Sequence, residues 1–249
     1  MDLTGKRIIL TGGVRGLGRC MVEKLLAKQT LVTVFDMDKE GLQELKAQQP
    51  SVNCVQCDVS KYEQVLAATD RYHDEFGAAH VLINNAGILY SAPLLRITGA
   101  GIEKHDLAMW DKVLAADLSS VFYMTANIAE KMIRTRTKGV IVNISSVSAS
   151  GNAGQSAYSA AKAGVNALTA TWAKELGLMG IRVVAVAPGF TETESTRQAM
   201  SGTLLEETIR KVPLKRLGKP AEIADGVLSV IENDFFNGKV FELDGGLII

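Results

Sequence analysis

A phenol and an ammonium group lie four residues apart in the stretch SAYSAAKAG, which spans residues 156–164. Tyr158 and Lys162 belong to an alanine-rich run, and alanine is the strongest helix former. At this spacing they share one helix face and can contact each other. A nearby cation lowers the pKa of a phenol from its usual value of about 10, which favours proton exchange. The same spacing also occurs by chance on exposed helices, so the pair alone does not establish catalysis.

A glycine-rich turn offers a site for a phosphate group. The segment ILTGGVRGLGRC follows a strand-like run and opens a helix-like one, and Gly12, Gly16 and Gly18 are its spaced glycines. Glycine lets a phosphate approach closely, and the N-terminus of the following helix supplies free N–H groups and a positive dipole end. A tight turn without a ligand would use similar residues, but this strand–turn–helix context is the one that a dinucleotide site requires.

Asp36 and Arg15 bear on the choice of nucleotide. Asp36 follows the second strand-like run, where an acid can accept hydrogen bonds from the ribose diol of NAD and would repel the 2′-phosphate of NADP. Arg15, in the glycine-rich turn, can either pair with that phosphate or face solvent. The sequence therefore predicts NAD as the preferred cofactor and leaves NADP open.

The elements that must position these residues alternate between strand-like and helix-like runs. The apolar runs RIIL, LVTVF, VLIN, VIVNI and RVVAVA are separated by helical periodicity, including long helices over residues 106–134 and 156–178. This alternation predicts an α/β fold, a single-domain, Rossmann-like, doubly wound parallel sheet with helices on both faces. We interpret residues 1–249 as one dinucleotide-binding domain. Residues 91–105 and 190–217 are longer than turns need to be, and we expect them to form substrate loops.

The composition argues against several classes of partner. The chain has 27 basic and 27 acidic residues, so no broad field attracts nucleic acid or an anionic membrane. It has no apolar run of the roughly 18 residues that suggest a membrane span. Its first residues lack the features of a signal peptide, and we expect a cytoplasmic protein.

The cysteines and histidines do not suggest a metal or redox site. Cys54 and Cys57 form a lone CxxC, but on a strand they would point to opposite faces about 10 Å apart, too far for a disulfide. The histidines lack the spacing of metal ligands. We therefore expect structural cysteines and no metal.

Together, these motifs resemble the short-chain dehydrogenase/reductase family, and the resemblance covers nearly the whole chain. TGGVRGLG is similar to the family's TGxxxGxG cofactor loop, and NNAG is similar to its motif after the fourth strand. ISSVSASGNAGQSAYSAAK is similar to the serine and YxxxK active-site block. PGFTET is similar to the segment beside the nicotinamide, and LDGG to the usual C-terminal motif.

The resemblance implies a role for each catalytic residue. Tyr158 would be the general acid/base, Lys162 would hold the nicotinamide ribose and favour the phenolate, and Ser146 would bond the substrate oxygen where charge develops. With the residues discussed above, the expected cofactor-binding set is Gly12, Arg15, Gly16, Leu17, Gly18, Asp36, Asp58, Val59, Asn85, Ala86, Gly87, Tyr158, Lys162, Pro188, Gly189, Thr191 and Thr193. In this set, Asp58 corresponds to the acid that meets the adenine.

The chain departs from the family pattern at two places. Asp117, in AADLSSVF, takes the position of an asparagine that serves the family's proton relay. We expect its carboxylate to lie near Lys162, to raise the pKa of Tyr158 and to act as a fourth catalytic residue. The alternative is a carboxylate bound only by local backbone groups. The segment from Gly87 to Trp110 is several residues longer than usual, which indicates an altered substrate rim or a passive insertion.

The sequence thus predicts an NAD(P)-dependent oxidoreductase that transfers a hydride between the nicotinamide and a secondary alcohol or ketone. Two alternatives stay open: a 3-oxoacyl-(acyl-carrier-protein) reductase that uses NADPH, and a dinucleotide-binding protein without turnover. Asp36 and the zero net charge count against the first, and the intact Ser146, Tyr158 and Lys162 against the second. We expect a small-molecule substrate, no nucleic-acid or membrane partner and, by resemblance, a homotetramer or homodimer built on the long helices and the C-terminal edge.

Overall fold

The computed structural model describes residues 1–99, 101–194, 196 and 202–247. Its strands are β1 (Arg7–Thr11), β2 (Leu31–Asp36), β3 (Asn53–Gln56), β4 (Val81–Asn84), β5 (Leu95–Thr98), β6 (Gly101–Lys104), β7 (Gly139–Ile144), β8 (Ile181–Pro188) and β9 (Val240–Leu243). Seven of them form a parallel sheet in the order β3-β2-β1-β4-β7-β8-β9. The chain winds in opposite directions from β1 and β4, and ligands of such sheets bind at this switch point.

Helices cover both faces of the sheet. They are α1 (Gly16–Ala27), α2 (Lys39–Gln48), α3 (Tyr62–Phe76), α4 (Leu107–Leu114), α5 (Ser120–Arg134), α6 (Ser156–Leu176), α7 (Thr203–Lys211) and α8 (Pro220–Glu232). Because successive strand residues point to opposite faces, Leu10 packs in a core with α1, α2 and α8, whereas Ile9 packs in a second core with α3, α5 and α6. The predicted doubly wound fold is confirmed.

A π-helical turn at Ala115–Ser119 joins α4 to α5, so the helix predicted over residues 106–134 is interrupted near its middle. Such wide turns insert an extra residue into a helix and are frequent at functional sites. Asp117 lies in this turn with 1% of its surface exposed. The turn therefore carries a carboxylate into the interior.

The structure also contains elements that the sequence interpretation missed. Residues 91–105 were expected to form a loop, but β5 and β6 pair there as an antiparallel hairpin outside the main sheet. The expected loop at 190–217 contains α7, and its residues 195 and 197–201 lie outside the described part of the chain. Helix α8 was not predicted, although Pro220 at its first position, Glu222 at the third and the apolar Ile223 and Val227 are typical of a helix start.

The three cysteines, Cys20, Cys54 and Cys57, are free thiols. In the part of the chain that the structure describes, no helix combines the length and the apolar character needed to cross a bilayer.

Candidate active site

A cavity of about 1510 Å³ opens beyond the carboxyl ends of the central strands. It exceeds the roughly 300–1,000 Å³ of a site for one small ligand, so it has room for a dinucleotide and a second molecule. Its wall includes every residue that the sequence predicted for cofactor binding or catalysis. The structure thus brings the predicted residues together, from the glycine-rich turn at one end to PGFTET at the other.

The turn between β1 and α1 forms the phosphate end of the cavity. A Cβ at Gly18 would overlap the carbonyl oxygen of Gly12, so the helix can start here only with glycine. Arg15 precedes α1 without a side-chain capping bond, and Gly16 and Leu17 also line the cavity. The first N–H groups of α1 are therefore not taken by a side-chain cap, and a helix N-terminus attracts a pyrophosphate. These features fit a dinucleotide.

Asn85 braces this turn from the neighbouring strand. Its side-chain amide donates hydrogen bonds to the carbonyl oxygens of Thr11 at 3.0 Å and Gly12 at 2.8 Å. The hydroxyl of Thr11 accepts from the backbone N–H groups of Asn85 and Ala86, each at 3.0 Å. The Asn85 side chain therefore orders the turn, a structural role that the sequence did not predict.

Two acids line the adenosine end of the cavity. Asp36 accepts backbone hydrogen bonds from Val14 at 3.3 Å and from Asp38 at 3.1 Å, which hold its carboxylate at the end of β2. Asp58 accepts from the backbone N–H and the hydroxyl of Ser60, at 3.0 and 2.7 Å. Arg15 lies on the same cavity with an exposed side chain. The carboxylate of Asp36 is thus placed where it can accept hydrogen bonds from a ribose diol. The cation of Arg15 lines the same wall.

Helix α6 places Tyr158 and Lys162 at the centre of the cavity. The Nζ of Lys162 lies 5.5 Å from the centroid of the Tyr158 ring and donates a hydrogen bond to the carbonyl oxygen of Ile144 at 2.9 Å. Ser146 follows β7, and its hydroxyl is close enough to Tyr158 to lower the pKa of the phenol. The adjacent Ser145 is buried, and its hydroxyl lies 3.5 Å from the carbonyl oxygen of Lys162. Ser146 is therefore the serine that can share a substrate oxygen with Tyr158.

Asp117 contacts both Lys162 and the backbone. Its Oδ1 lies 3.3 Å from the Nζ of Lys162, and its Oδ2 accepts a hydrogen bond from the N–H of Ile88 at 3.1 Å. A Cβ at Gly87 would overlap Oδ1, so glycine is required for the carboxylate to reach this place. The carboxylate is thus not bound only by local backbone groups, because one oxygen pairs with Lys162 and the other accepts from an N–H that lies 29 positions away in the sequence.

The three ionisable groups shift one another's pKa values. Burial raises the pKa of Asp117, against the opposing effects of Lys162 and the Ile88 N–H. Burial disfavours the charged form of Lys162, but the carboxylate of Asp117 and the phenol of Tyr158 raise its pKa above the usual value. The pKa of Tyr158 is raised by burial and by Asp117, while Lys162 and the hydroxyl of Ser146 lower it. The balance favours a protonated lysine beside a protonated phenol.

The remaining wall of the cavity is a mixed apolar and polar surface next to Tyr158. Ile88, Leu89 and Phe190 contribute apolar side chains. The side-chain amide of Gln155 donates to the hydroxyl of Ser91 at 3.2 Å, and that of Asn152 donates to Gln155 at 3.1 Å. Sequence reasoning missed Asn152 and Gln155, although both lie inside the quoted serine–tyrosine block. Among the described residues, no three His, Cys, Asp or Glu side chains are grouped to hold a metal ion.

The segment after β8 is closed at its base by backbone pairing. The N–H of Gly218 donates to the carbonyl oxygen of Phe190 at 2.9 Å, and the N–H of Glu192 donates to that of Gly218 at 2.8 Å. Next to Gly218, the guanidinium of Arg216 binds both carboxylate oxygens of Glu222 at 2.7 Å. The cavity residues Phe190 and Thr191 are thereby attached to the start of α8.

Comparison with known proteins agrees with this geometry. The model of the family described as short chain dehydrogenase matches residues 6–203. The chain is 36% identical to the 3-oxoacyl-(acyl-carrier-protein) reductase FabG of Thermotoga maritima, over the full length of both. It is 34% identical to the enzyme of the same name from Staphylococcus epidermidis, with 97% of this chain and 98% of the relative covered, and 33% identical to that of Vibrio cholerae, with 99% of each covered.

Proposed function

The chain belongs to the short-chain dehydrogenase family and is an oxidoreductase acting on a CH–OH or ketone group, and on that premise we propose that it reduces the ketone of a 3-oxoacyl thioester to the corresponding alcohol. The full-length likeness to several 3-oxoacyl-(acyl-carrier-protein) reductases is the observation that carries this proposal. It reverses the preference reached from the sequence alone, in which a general secondary alcohol or ketone came first.

A nicotinamide dinucleotide fits the cavity, and the family binds this cofactor. The N–H groups at the start of α1, the closely packed glycines and the two acids of the adenosine end are the residues that would hold it. When bound, it supplies the hydride. We propose NADH as the preferred form, because the carboxylate of Asp36 would repel the 2′-phosphate of NADPH. The exposed Arg15 could pair with that phosphate and so allow some use of NADPH.

The proton comes from the chain's own residues. We propose that Ser146 and the phenol of Tyr158 bind the ketone oxygen, and that Tyr158 donates its proton as negative charge develops there. Lys162 then stabilises the phenolate that remains. Asp117 favours reduction over oxidation, because its charge raises the pKa of Tyr158 and so keeps the phenol protonated. The apolar side chains of Ile88, Leu89 and Phe190 would contact the acyl chain.

The chain's surroundings are also matters of proposal. We propose a cytoplasmic enzyme with a small-molecule or carrier-bound substrate and no nucleic-acid or membrane partner, which its balanced 27 basic and 27 acidic residues support. A homotetramer or homodimer built on the long helices stays a prediction.

Oxidation of NADH and NADPH with acetoacetyl-CoA tests the proposal, beside simple ketones and, in reverse, simple secondary alcohols. We expect kcat/KM for the thioester to exceed that for a ketone of equal chain length by on the order of tenfold or more, because remote binding energy lowers the barrier. Tyr158→Phe is the control for background turnover. Simple ketones or alcohols that react as well as the thioester would overturn the assignment and favour a general alcohol dehydrogenase.

A further inference from the structure

The hairpin of β5 and β6 has two unlike faces. Its register pairs Ile97 with Ile102 and Leu95 with Lys104 on one face, and Arg96 with Glu103 on the other. On the first face, Leu95 is 53% exposed, Ile97 87% and Ile102 69%. We call these three side chains the hairpin apolar face. The hairpin is therefore amphipathic, although both of its faces point to solvent in the single chain.

An apolar face of this kind needs a cover. A two-stranded hairpin is marginally stable in water unless it packs against something else. Within the described residues, Leu95, Ile97 and Ile102 belong to neither of the two large cores. Contiguous exposed apolar surface of a few hundred Å² marks interaction sites in soluble proteins. The described part of the chain therefore leaves this face uncovered.

The base of the hairpin is firmly held. The N–H of His105 donates to the carbonyl oxygen of Leu94 at 2.9 Å, and its Nδ1 lies 3.3 Å from that of Ala92. The His105 ring packs edge-on between Tyr90 and Trp110, with centroid distances of 5.5 and 6.4 Å. These contacts fix the direction in which the hairpin leaves the molecule, so its apolar face is presented in a defined orientation.

We propose that the hairpin apolar face packs against the same face of a second copy of this chain. Leu95, Ile97 and Ile102 together offer on the order of 400 Å² of apolar surface on each copy, about half of the roughly 800 Å² per partner in a standard interface, so the contact would be a small one. Lys104 is the charged residue of this face and lies at its base. In a twofold arrangement the two Lys104 side chains lie at opposite ends, so like charges stay apart.

Two other occupants fit the surface less well. A substrate in the cavity does not reach it, because in the described chain the cavity wall ends at Pro93 and takes no residue from either hairpin strand. An anionic membrane would need a basic rim. Arg96 and Lys104 are balanced by Glu103 and Asp106, so the hairpin and its base carry no net positive charge.

The pairing would also support the active site. The wall residues Ser91 and Ala92 lead directly into the hairpin, and both contact Gln155, through the side-chain hydrogen bond at 3.2 Å and a backbone bridge. A hairpin held by a second copy keeps this wall in place. This consequence rests on the proposed function, whereas the pairing itself does not.

The first test is the double variant Ile97→Lys/Ile102→Lys, compared with the matched variant Arg96→Gln/Glu103→Gln on the opposite face. Sedimentation of each protein over a range of concentrations gives the mass of the assembly. We expect the apolar-face variant to dissociate at a concentration at least about tenfold higher than the wild type, because apolar contacts at an interface centre carry most of its energy. The matched variant should behave as the wild type. Equal dissociation of wild type and apolar-face variant would overturn the proposal.

A second test uses cysteine cross-linking in the full chain. Under mild oxidation we expect Ile97→Cys to form a covalent dimer and Arg96→Cys to remain a monomer on a non-reducing gel. The wild-type chain, oxidised in the same way, shows how much dimer its three native cysteines form by themselves. Equal dimer from both variants, or binding of the wild type to phosphatidylcholine vesicles that the double variant loses, would overturn the pairing. If the wild type does not reduce the thioester, the proposed function is refuted, but sedimentation and cross-linking still test the pairing.

Discussion

The carboxylate of Asp117 and the ammonium of Lys162 form a buried ion pair, with 3.3 Å between Oδ1 and Nζ, at the point where α4 passes into α5. The N–H of Ile88 holds the second carboxylate oxygen, and Gly87 leaves the space that the carboxylate occupies. The pair thus ties the strand-four motif, the long helix and the YxxxK helix together at one charged contact.

We expect Asp117→Asn to keep the enzyme folded and active and to move the alkaline rise of alcohol oxidation to lower pH. Oxidation needs Tyr158 as the phenolate, and the charge of Asp117 raises the pKa of that phenol. Asparagine keeps the size and an oxygen for the Ile88 N–H but removes this charge. The pH profile of kcat/KM, with a 3-hydroxyacyl thioester and NAD, measures the shift.

Asp74→Asn, on the exposed face of α3, is the matched control for this profile. A profile that does not move in Asp117→Asn would show that the carboxylate has no electrostatic effect on Tyr158. A folded variant without activity would show instead that the carboxylate itself is needed to pass protons.

Tyr158→Phe removes one hydroxyl and leaves the ring against Lys162. We expect turnover to fall by roughly 10²- to 10⁴-fold, which is the usual contribution of a positioned acid or base. Binding of NADH, followed by its fluorescence, should persist, because the cofactor is held by the rest of the cavity. A variant that keeps about a third of the wild-type rate would exclude Tyr158 as the proton donor of this reaction.

Replacement of Asp36 by alanine should reduce the preference for NADH over NADPH. The carboxylate is fixed by the N–H groups of Val14 and Asp38, so its charge cannot move away from a 2′-phosphate. Titration of both cofactors against wild type and variant gives the two affinity ratios, with Asp58→Asn as a control that removes a neighbouring charge. Equal or tighter binding of NADPH by the wild type would contradict the assignment and point to Arg15.

Arg182 stabilises the C-terminal end of α8, and its replacement tests how much that contact contributes to stability. Its guanidinium donates to the carbonyl oxygens of Val230, Ile231 and Phe236 at 3.1, 2.6 and 2.9 Å, which caps the end of α8. We expect Arg182→Met to lower the free energy of unfolding by roughly 2–4 kcal/mol, because three carbonyls lose a charged donor. Urea unfolding beside Arg71→Met, an exposed arginine of α3, measures the difference. Identical midpoints for the two variants would show that the cap contributes little.

The sequence predicted the parts of the site that depend on local spacing. Tyr158 and Lys162 meet because a helix brings residues four apart to one face, and Asp36 lines the cavity because parallel strands end at one edge. The family resemblance placed Ser146 and identified Asp117 as a departure. All of these residues line the same cavity in the structure.

The parts that the sequence did not reveal depend on distant contacts. The bond between Gln155 and Ser91 joins residues 64 positions apart, and no local pattern predicts it. The hairpin strands LRIT and GIEK are too short for a clear alternation, and they pair with each other rather than with the main sheet. The π-helical turn at Asp117 is likewise invisible in the periodicity, because the apolar pattern continues across it.

The backbone pairing of Phe190 and Glu192 with Gly218 allows the segment between them to vary, and with it the substrate specificity of the enzyme. This pairing brings the two ends of the intervening segment together beside the sheet. The entropy of closing a loop grows slowly, and each doubling of its length costs only about 0.6 kcal/mol. We therefore expect segments of different length and composition to be tolerated between residues 194 and 211, whereas residues 212–214 pack against Gly245 and Gly246 and have to be kept.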